Sequence, residues 1–366
     1  MAAHLPPGST IGILGNGQLG RMLCLAAARL GYRTHVFGPE HDSPAEQVAS
    51  QSTVAAYDDE PALAAFANAV HAVTFEFENV PAKAAAYLAA HTHVRPSWKA
   101  LEIAQDRCKE KAFFASIGAA TPSWAKIDSV ADLKEALTRV KPPAVLKTAR
   151  LGYDGKGQAK IMDAGQAEEA WAAIGGPTAP PDSGYAVLEA FVDFTQEISV
   201  IAARGADGTL VCFEPAENVH TNHILATSTV PARVAPGTLA RAIEIASRAA
   251  AALDLVGLLA VEMFVTRDGG VLCNEMAPRP HNSGHWTMNA CGTDQFEQLI
   301  RAVAGLPLRD PARHADVTMV NLIGDDVNRL DAYLVDPAAH VHLYGKQSVR
   351  KGRKMGHVNL LRPKSV

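Results

Sequence analysis

The stretch Val261–Met276, VEMFVTRDGGVLCNEM, places two acidic residues in two apolar runs that flank a turn. Asp-Gly is a strong signal for a two-residue hairpin turn, and a turn at Asp268–Gly269 would put Glu262 directly opposite Glu275. Such paired like charges repel each other, and a divalent cation that also carries substrate phosphates would remove the conflict. The hairpin therefore predicts a metal site, with a shifted register as the alternative. In a regular strand Asn274 faces away from Glu275, so both could reach the metal only across a β-bulge.

A lysine and a glycine-rich loop lie upstream of this hairpin. Ala144–Ala149 is an apolar strand that contains Lys147, and a lysine in such a strand is costly unless its head reaches an anion or solvent. The loop Gly152–Gln158, GYDGKGQ, follows, and its glycines would let the backbone fold closely over phosphates. It is not a Walker loop, which needs G-K-[ST] at the start of a helix. This arrangement predicts nucleotide-phosphate binding, with an ordinary hairpin loop as the alternative.

The first hundred residues alternate strand and helix patterns, which is typical of βαβ units and a parallel sheet. Strand Thr10–Leu14 leads into GNGQLG at 15–20, a glycine pattern whose backbone N–H groups can face a phosphate at a helix N-terminus. Glu40 lies where a dinucleotide fold would have its ribose-binding acid, so a nicotinamide-dependent dehydrogenase is an open alternative. Glu76 and Glu78 follow another strand, where ligand contact and a solvated strand end are equally compatible with the pattern.

Composition excludes several classes of protein. The chain has 366 residues, and its 34 Lys and Arg against 38 Asp and Glu give a net charge of −4, which argues against a general nucleic-acid binder. Its 48% hydrophobic content excludes a disordered chain. The sequence shows neither a signal peptide nor a membrane-spanning run. Five cysteines without a CxxC pair fit neither a disulfide framework nor a zinc ribbon, so a cytoplasmic protein is expected.

The order of the predicted elements divides the chain into three parts. We expect an N-terminal parallel α/β sheet, a central α+β unit and a smaller C-terminal β-rich unit. The predicted ranges are residues 1–105, 106–308 and 309–366.

Two clusters near the C-terminus carry charge or metal-binding potential. His281 and His285 have the i, i+4 spacing of a zinc pair, but Asn282–Gly284 makes a poor helix and no third ligand is evident. Five cations lie within nine residues, and a phosphomonoester site explains them better than a solvated tail or a weak nucleic-acid patch. These cations are Lys346, Arg350, Lys351, Arg353 and Lys354.

Together these features resemble the ATP-grasp family. With GNGQLGRM at 15–22, NEMAPRPHNSGHWT at 274–287 and GRKMGH at 352–357, the chain is similar to the N5-carboxyaminoimidazole ribonucleotide synthases of purine biosynthesis. The resemblance implies an ATP-grasp fold with an N-terminal Rossmann-like domain and a small C-terminal β-rich domain. It also implies a homodimer that uses ATP and Mg²⁺, with Mn²⁺ as an alternative ion. The implied reaction carboxylates 5-aminoimidazole ribonucleotide with bicarbonate through carboxyphosphate, without a nucleic-acid or membrane partner.

The resemblance also assigns individual residues. The expected ATP contacts are Arg107, Lys147, Gly152, Tyr153, Asp154, Gly155, Lys156, Gly157, Gln158, Glu189, Val192, Glu197, His220, Asn274 and Glu275. The expected metal ligands are Glu262, Glu275 and Asn274. The expected substrate contacts are Gln18, Glu76, Tyr153, Asp154, Arg279, His281 and Lys346, with the phosphate near Arg350, Arg353 or Lys354. Asp154, Lys156, Arg279 and Lys346 are expected to act on the reacting groups.

Two further functions stay open beside the dehydrogenase. Another ATP-grasp ligase would share the ATP and metal residues and differ at Arg279, His281 and the basic residues near the C-terminus. A non-catalytic nucleotide-binding regulator would bind ATP and never release ADP.

Overall fold

Three β-sheets follow one another along the chain in the computed structural model, which describes residues 4–152, 157–175 and 185–365. The first is the predicted parallel sheet, with strands in the order β3-β2-β1-β4-β5. Its strands are β1 Thr10–Leu14, β2 Arg33–Gly38, β3 Gln51–Val54, β4 Ala72–Phe75 and β5 His93–Val94. The accompanying helices are α1 Gln18–Arg29, α2 Glu60–Ala69 and α3 Ala82–Ala89.

Two short helices connect this sheet to the second one. The sequence pattern predicts one helical stretch over Trp98–Ile117, but the structure has two helices, α4 Trp98–Ala104 and α5 Arg107–Ser116. Asp106 separates them because its side chain accepts hydrogen bonds from the N–H groups of Cys108 and Lys109 and so caps α5. The break places Arg107 in the first turn of α5.

The second sheet has four antiparallel strands in the order β6-β9-β7-β8. Two helices, α6 Val130–Arg139 and α7 Ala167–Ala173, pack their apolar residues against it and form a separate small core. The strands are β6 Trp124–Ile127, β7 Ala144–Thr148, β8 Gln158–Ile161 and β9 Ala186–Ala190.

The third sheet has nine strands and contains both the acidic hairpin and the C-terminal strands. Its order is β15-β14-β10-β12-β13-β16-β18-β17, with β11 paired to β10. The strands are β10 Phe194–Arg204, β11 Leu210–Cys212, β12 Ala216–Thr221, β13 Ile224–Val230, β14 Gly257–Thr266, β15 Val271–Ala277, β16 Ala315–Ile323, β17 Ala339–Leu343 and β18 Lys354–Pro363. The helices of this part are α8 Pro236–Ala252, α9 Thr287–Ala290, α10 Gln295–Ala304 and α11 Asp331–Leu334.

The C-terminal strands extend this sheet because β16 pairs with β13 along Thr227–Val230. The proposed boundary at residue 309 therefore falls between strands of one sheet. On one side of the sheet, α8 packs its buried alanines against β10 and β14. In the described ranges, no helix combines the length and the hydropathy that a membrane span requires.

Candidate functional site

The acidic hairpin turns over three residues, so the predicted two-residue turn at Asp268–Gly269 is wrong. The Thr266 N–H donates to the Gly270 carbonyl at 3.0 Å, and Gly269 has a φ of +79°, as in three-residue hairpin loops. This shifts the register by one near the turn. A β-bulge at Asn274 then restores it, and Glu262 pairs with Glu275 as predicted.

The bulge also brings Asn274 to the carboxylates. Glu262, Asn274 and Glu197 line one small cleft, and Glu262 and Glu275 line an adjoining one. Asn274 Oδ1 is buried and has no hydrogen-bond partner among the described residues. Burial, and then the facing Glu275, raise the pKa of Glu262 to about 8. Two facing carboxylates and an unpaired amide oxygen form a donor set that suits a hard divalent cation.

Arg107 connects the carboxylates to the glycine-rich loop. Its guanidinium lies 3.3 Å from Glu275 Oε2 and donates to the Gly152 carbonyl at 3.0 Å. Burial opposes the charge on Arg107, but Glu275, Glu110 and Glu189 outweigh it and raise the arginine pKa. Burial likewise works against ionised Glu275, but Arg107 and then Lys147 keep its pKa below the usual value. The pair is thus fully charged at neutral pH.

Two lysines contact one buried carboxylate in the second sheet. Glu189 is 3% exposed, and its two oxygens lie 3.0 Å from Lys147 Nζ and 3.2 Å from Lys111 Nζ. Burial raises the Glu189 pKa, but the two lysines and Arg107 outweigh it and lower the pKa overall. The costly lysine in the apolar strand β7 therefore has an anionic partner.

Sequence reasoning missed Lys111, which is 1% exposed. Its spacing from Arg107 is i, i+4, which places both cations on one face of α5. This spacing is the sequence pattern that could have predicted Lys111 as a site residue. Glu110 was also missed. It is buried, accepts the Met276 N–H at 2.6 Å next to Glu275, and has a pKa that burial raises to about 8.

Glu197 and His220 form a second pair near the carboxylates. They lie on neighbouring strands β10 and β12, where the His220 ring contacts the Glu197 carboxylate. Burial lowers the pKa of His220, but Glu197 outweighs that effect and raises it. Val192 is half-buried in the turn between β9 and β10, beside exposed Phe191.

The N-terminal glycine turn holds a carboxylate of the protein itself. Glu76 Oε1 accepts the Gly17 N–H at 2.8 Å, and a Cβ on Gly15 would lie 2.6 Å from the same oxygen. The turn is therefore shaped around Glu76, so the prediction that its N–H groups face a phosphate is not supported at Gly17. Gln18 follows as the first residue of α1 and is half-buried. Glu40 is exposed, and its backbone carbonyl accepts the Asn16 amide at 2.6 Å.

Cations expected at the substrate act on an acid that follows strand β4 of the first sheet, because burial raises the pKa of Glu76, and Arg279 and Lys346 both oppose that rise. Arg279 pairs with Glu78, and its charge also acts on Glu76 and Glu275. Both acids after β4 therefore interact with Arg279, although the strand itself ends at Phe75. Burial, followed by Arg353 and Lys354, lowers the pKa of Lys346 to about 8.

The basic residues near the C-terminus differ in burial. Lys346 donates to the Lys354 carbonyl at 2.7 Å, and Arg353 donates to the Ser348 carbonyl at 3.0 Å. These three cations are half-buried, whereas Arg350 and Lys351 are exposed.

His281 and His285, the pair considered for zinc, have separate partners. His281 Nε2 lies 3.3 Å from Glu262 Oε1, and His285 Nδ1 contacts the side chain of Gln295 at 3.0 Å. Burial, followed by Arg279, holds the pKa of His281 well below its usual value, so the ring is neutral.

Direct contacts therefore link several of the predicted site residues in the described ranges. The linked pairs are Arg107 with Glu275, Lys147 with Glu189, Glu197 with His220, Glu262 with Glu275, and Glu262 with His281. Gly157 has a φ of +68° and accepts the Thr148 N–H at 2.8 Å, and Gln158 contacts His223 at 3.4 Å. Four predicted residues lie outside the described ranges. They are Tyr153, Asp154, Gly155 and Lys156.

Three family models match successive parts of the chain. They describe a ribonucleotide synthetase preATP-grasp domain at residues 9–105, an ATP-grasp domain at 112–296 and a phosphoribosylaminoimidazole carboxylase C-terminal domain at 317–365.

Relatives match over nearly the whole length. An N5-carboxyaminoimidazole ribonucleotide synthase of Brucella melitensis is 51% identical over 99% of both chains. A solved ADP complex of an N5-carboxyaminoimidazole ribonucleotide synthetase is 40% identical with a TM-score of 0.93, covering 99% of this chain and 94% of that one. An N5-carboxyaminoimidazole synthase of Aspergillus clavatus, solved with ADP and 5-aminoimidazole ribonucleotide, is 28% identical with a TM-score of 0.89, covering 97% and 94%. The chain belongs to the N5-carboxyaminoimidazole ribonucleotide synthase family of ATP-grasp ligases.

Proposed function

We propose that this chain carboxylates 5-aminoimidazole ribonucleotide with bicarbonate at the expense of ATP, which becomes ADP and phosphate. The observation that carries the proposal is the position of the paired acids Glu262 and Glu275 among cations. Arg107 contacts Glu275, and Arg279 and Lys354 act on the same pair electrostatically. One group of cations suits a nucleoside triphosphate, and the other suits a phosphomonoester and a carboxylated intermediate.

ATP would lie between the second and third sheets. Lys147 and Arg107 supply fixed positive charge for its phosphates, and Glu189 keeps Lys147 in place at 3.0 Å. Glu197, His220 and Val192 line the turn from β9 into β10 and the adjoining strand, where the nucleoside would bind. In addition, Gly152 and the loop through Gln158 would cover the phosphates.

Mg²⁺, or Mn²⁺ in its place, would be held by Glu262, Glu275 and Asn274. The unpaired Asn274 oxygen and the facing carboxylates support this assignment. When bound there, the ion would offset negative charge on the phosphates.

The reaction proceeds in two displacements. A bicarbonate oxygen attacks the γ-phosphorus of ATP, and the bond to the β-phosphate oxygen breaks. The products of this step are carboxyphosphate and ADP. The exocyclic amine of the imidazole then forms a bond to the carboxyl carbon, phosphate leaves, and the amine loses a proton. Asp154 is the proposed acceptor of that proton. Arg279, His281 and Lys346 would hold the carboxylated intermediate, and Lys156 is a further proposed catalytic residue.

The substrate ribonucleotide would lie between the N-terminal and C-terminal parts. Glu76 and Gln18 would border one side of this region, and the cations of the C-terminal segment would border the other; the electrostatic interaction between Glu76 and Lys346 supports this. Arg350, Arg353 and Lys354 are the proposed phosphate contacts. We further propose three domains, at residues 1–105, 106–308 and 309–366. We also propose that the protein is a cytoplasmic homodimer. Analytical sedimentation would measure the mass of the assembly.

Stabilisation of the protein by Mg²⁺ should increase with pH. Because the folded-state pKa of Glu262 is raised to about 8, protonated Glu262 contributes to the stability of the ion-free fold at low pH. This stabilisation by Glu262 is lost as the pH rises toward about 8. Metal binding requires ionised Glu262, so affinity should rise up to about tenfold per pH unit below about pH 8. Thermal unfolding with and without MgCl₂ measures this. Glu262→Gln should abolish the pH dependence, and an equal Mg²⁺ effect at every pH would contradict the assignment.

One assay separates the proposed function from its alternatives. ADP release is measured with ATP, Mg²⁺ and bicarbonate, with and without 5-aminoimidazole ribonucleotide. We expect strong stimulation by the ribonucleotide and no binding of NAD. ATP binding without ADP release would favour a regulator. ADP release that responds only to another acceptor would favour a different ATP-grasp ligase.

A further inference from the structure

A line of buried polar side chains crosses the third sheet toward the site. Ser228 Oγ donates to Asn218 Oδ1 at 2.7 Å, and Asn218 Nδ2 donates to Ser199 Oγ at 2.9 Å. Ser199 Oγ then donates to Ser283 Oγ at 2.7 Å. All four residues are at most 5% exposed. We call this line of side chains the Asn218 chain.

The Asn218 chain ends on the imidazole that faces the carboxylate pair. Ser283 Oγ lies 2.8 Å from His281 Nδ1, and the other ring nitrogen, Nε2, lies 3.3 Å from Glu262 Oε1. The strands that carry the chain also carry the site acids, because Ser199 pairs with Glu262 and Asn218 pairs with Glu197. A buried polar network in this position is connected directly to the site.

The amide of Asn218 gives the chain a direction. Its carbonyl oxygen can only accept and its NH₂ group can only donate, so Ser228 must donate to it and Ser199 must accept from it. The Ser199 hydroxyl proton is then available to Ser283, and the Ser283 proton to His281 Nδ1. The backbone N–H of Ser283 also points to Nδ1 at 3.3 Å. Since two donors converge on Nδ1, the ring proton lies on Nε2.

We propose that Asn218 is a positioning residue for the carboxylation reaction, because through Ser199 and Ser283 it holds His281 in the Nε2–H tautomer that donates into the site beside Glu262. When Glu262 is ionised, as metal binding requires, the opposite tautomer would place a nitrogen lone pair against the carboxylate oxygen. The importance for turnover rests on the proposed function, whereas the tautomer does not.

The test is Asn218→Asp in the full chain. A carboxylate accepts only, so Ser199 and Ser228 must both donate to it. Ser199 then accepts from Ser283, and Ser283 accepts from His281, whose proton moves to Nδ1. The Ser283 backbone N–H is then a donor that still opposes this tautomer, across a long contact of 3.3 Å. Nitrogen-15 NMR of histidine-labelled protein distinguishes the two tautomers, with the His281 signal assigned by its loss in His281→Gln. We expect Nε2–H in the natural chain and Nδ1–H in the variant, together with a kcat about 10- to 100-fold lower and an unchanged KM for ATP.

A matched control is Asn321→Asp. Asn321 is another buried asparagine of the third sheet; it donates to the Leu225 carbonyl at 2.8 Å and is not part of the Asn218 chain. This variant should keep the Nε2–H form of His281. If Asn218→Asp does not fold, Ser199→Ala interrupts the chain with a smaller change and should leave both tautomers populated.

The outcomes separate the two proposals. Nε2–H retained in Asn218→Asp or Ser199→Ala overturns the directional role of the Asn218 chain. A reversed tautomer with unchanged kcat overturns its importance for the reaction. If the natural chain fails to turn over 5-aminoimidazole ribonucleotide, the proposed function falls, while the NMR result still decides the tautomer.

Discussion

Replacing Glu275 with glutamine is expected to lower kcat by about 100-fold or more, with little loss of folded protein. The glutamine keeps the size of the side chain and removes its charge. A metal ion bound at the proposed site would lose one of two anionic ligands, and Arg107 loses the partner 3.3 Å away. Charge stabilisation of several kcal/mol is at stake, and about 1.4 kcal/mol corresponds to a factor of ten in rate. Steady-state ADP release and circular dichroism measure the two quantities.

The fold should tolerate this change because Glu189 still acts favourably on the charge of Arg107, and the loss of Glu275 removes a charge that opposes ionisation of Glu262. The matched control is Glu244→Gln, an exposed acid on α8 whose side chain is 64% exposed. It should leave kcat unchanged. Near-normal turnover in Glu275→Gln would remove the metal-binding role of this residue. Unfolding of the variant would show that Glu275 is structural.

Replacing Lys111 with methionine is expected to destabilise the fold by about 3 kcal/mol, at the lower end of the range for breaking a buried ion pair. Lys111 and Glu189 are 1% and 3% exposed, so water cannot replace the lost partner. The loss is limited because Lys147 stays 3.0 Å from Glu189. Urea unfolding of the variant and the natural chain measures the difference in the free energy of unfolding.

Two companion variants test the cause of that loss. Lys109→Met removes another lysine from α5, but this side chain is 41% exposed and pairs with Glu102, which is 39% exposed, so the change should stay within about 0.5 kcal/mol. Adding Glu189→Gln to Lys111→Met should recover part of the lost free energy of unfolding. In the single variant the Glu189 carboxylate keeps only Lys147 as an ion-pair partner, and the second substitution removes that buried charge. Equal effects of the two lysine variants would contradict the buried ion pair.

Local patterns predicted the elements whose signal lies within a few residues. The acidic hairpin, Lys147 and the parallel N-terminal sheet were all evident from apolar runs and turn residues. The prediction that Glu262 faces Glu275 was correct although the turn was not. The three-residue loop shifts the register by one, and the bulge at Asn274 shifts it back. A sequence pattern cannot reveal two compensating irregularities of this kind.

Contacts between distant segments were not predictable in the same way. Strands β12 and β13 mix polar residues such as Asn218 and Ser228 into buried positions, which weakens the apolar pattern that marks a strand. The pairing of β16 with β13 joins segments about ninety residues apart and leaves no local signal. Glu76 fills the glycine turn from a strand end far along the chain, so GNGQLG alone could not reveal its occupant.

The transfer of oxygen from labelled bicarbonate to phosphate tests the central claim most directly. The protein is mixed with ATP, Mg²⁺, 5-aminoimidazole ribonucleotide and freshly dissolved ¹⁸O-bicarbonate, and the released phosphate is analysed by mass spectrometry during the first turnovers. Since a bicarbonate oxygen attacks the γ-phosphorus, one labelled oxygen should appear in each phosphate released with ADP, and none without the ribonucleotide beyond background. Phosphate that takes its new oxygen only from water would contradict the proposed carboxylation.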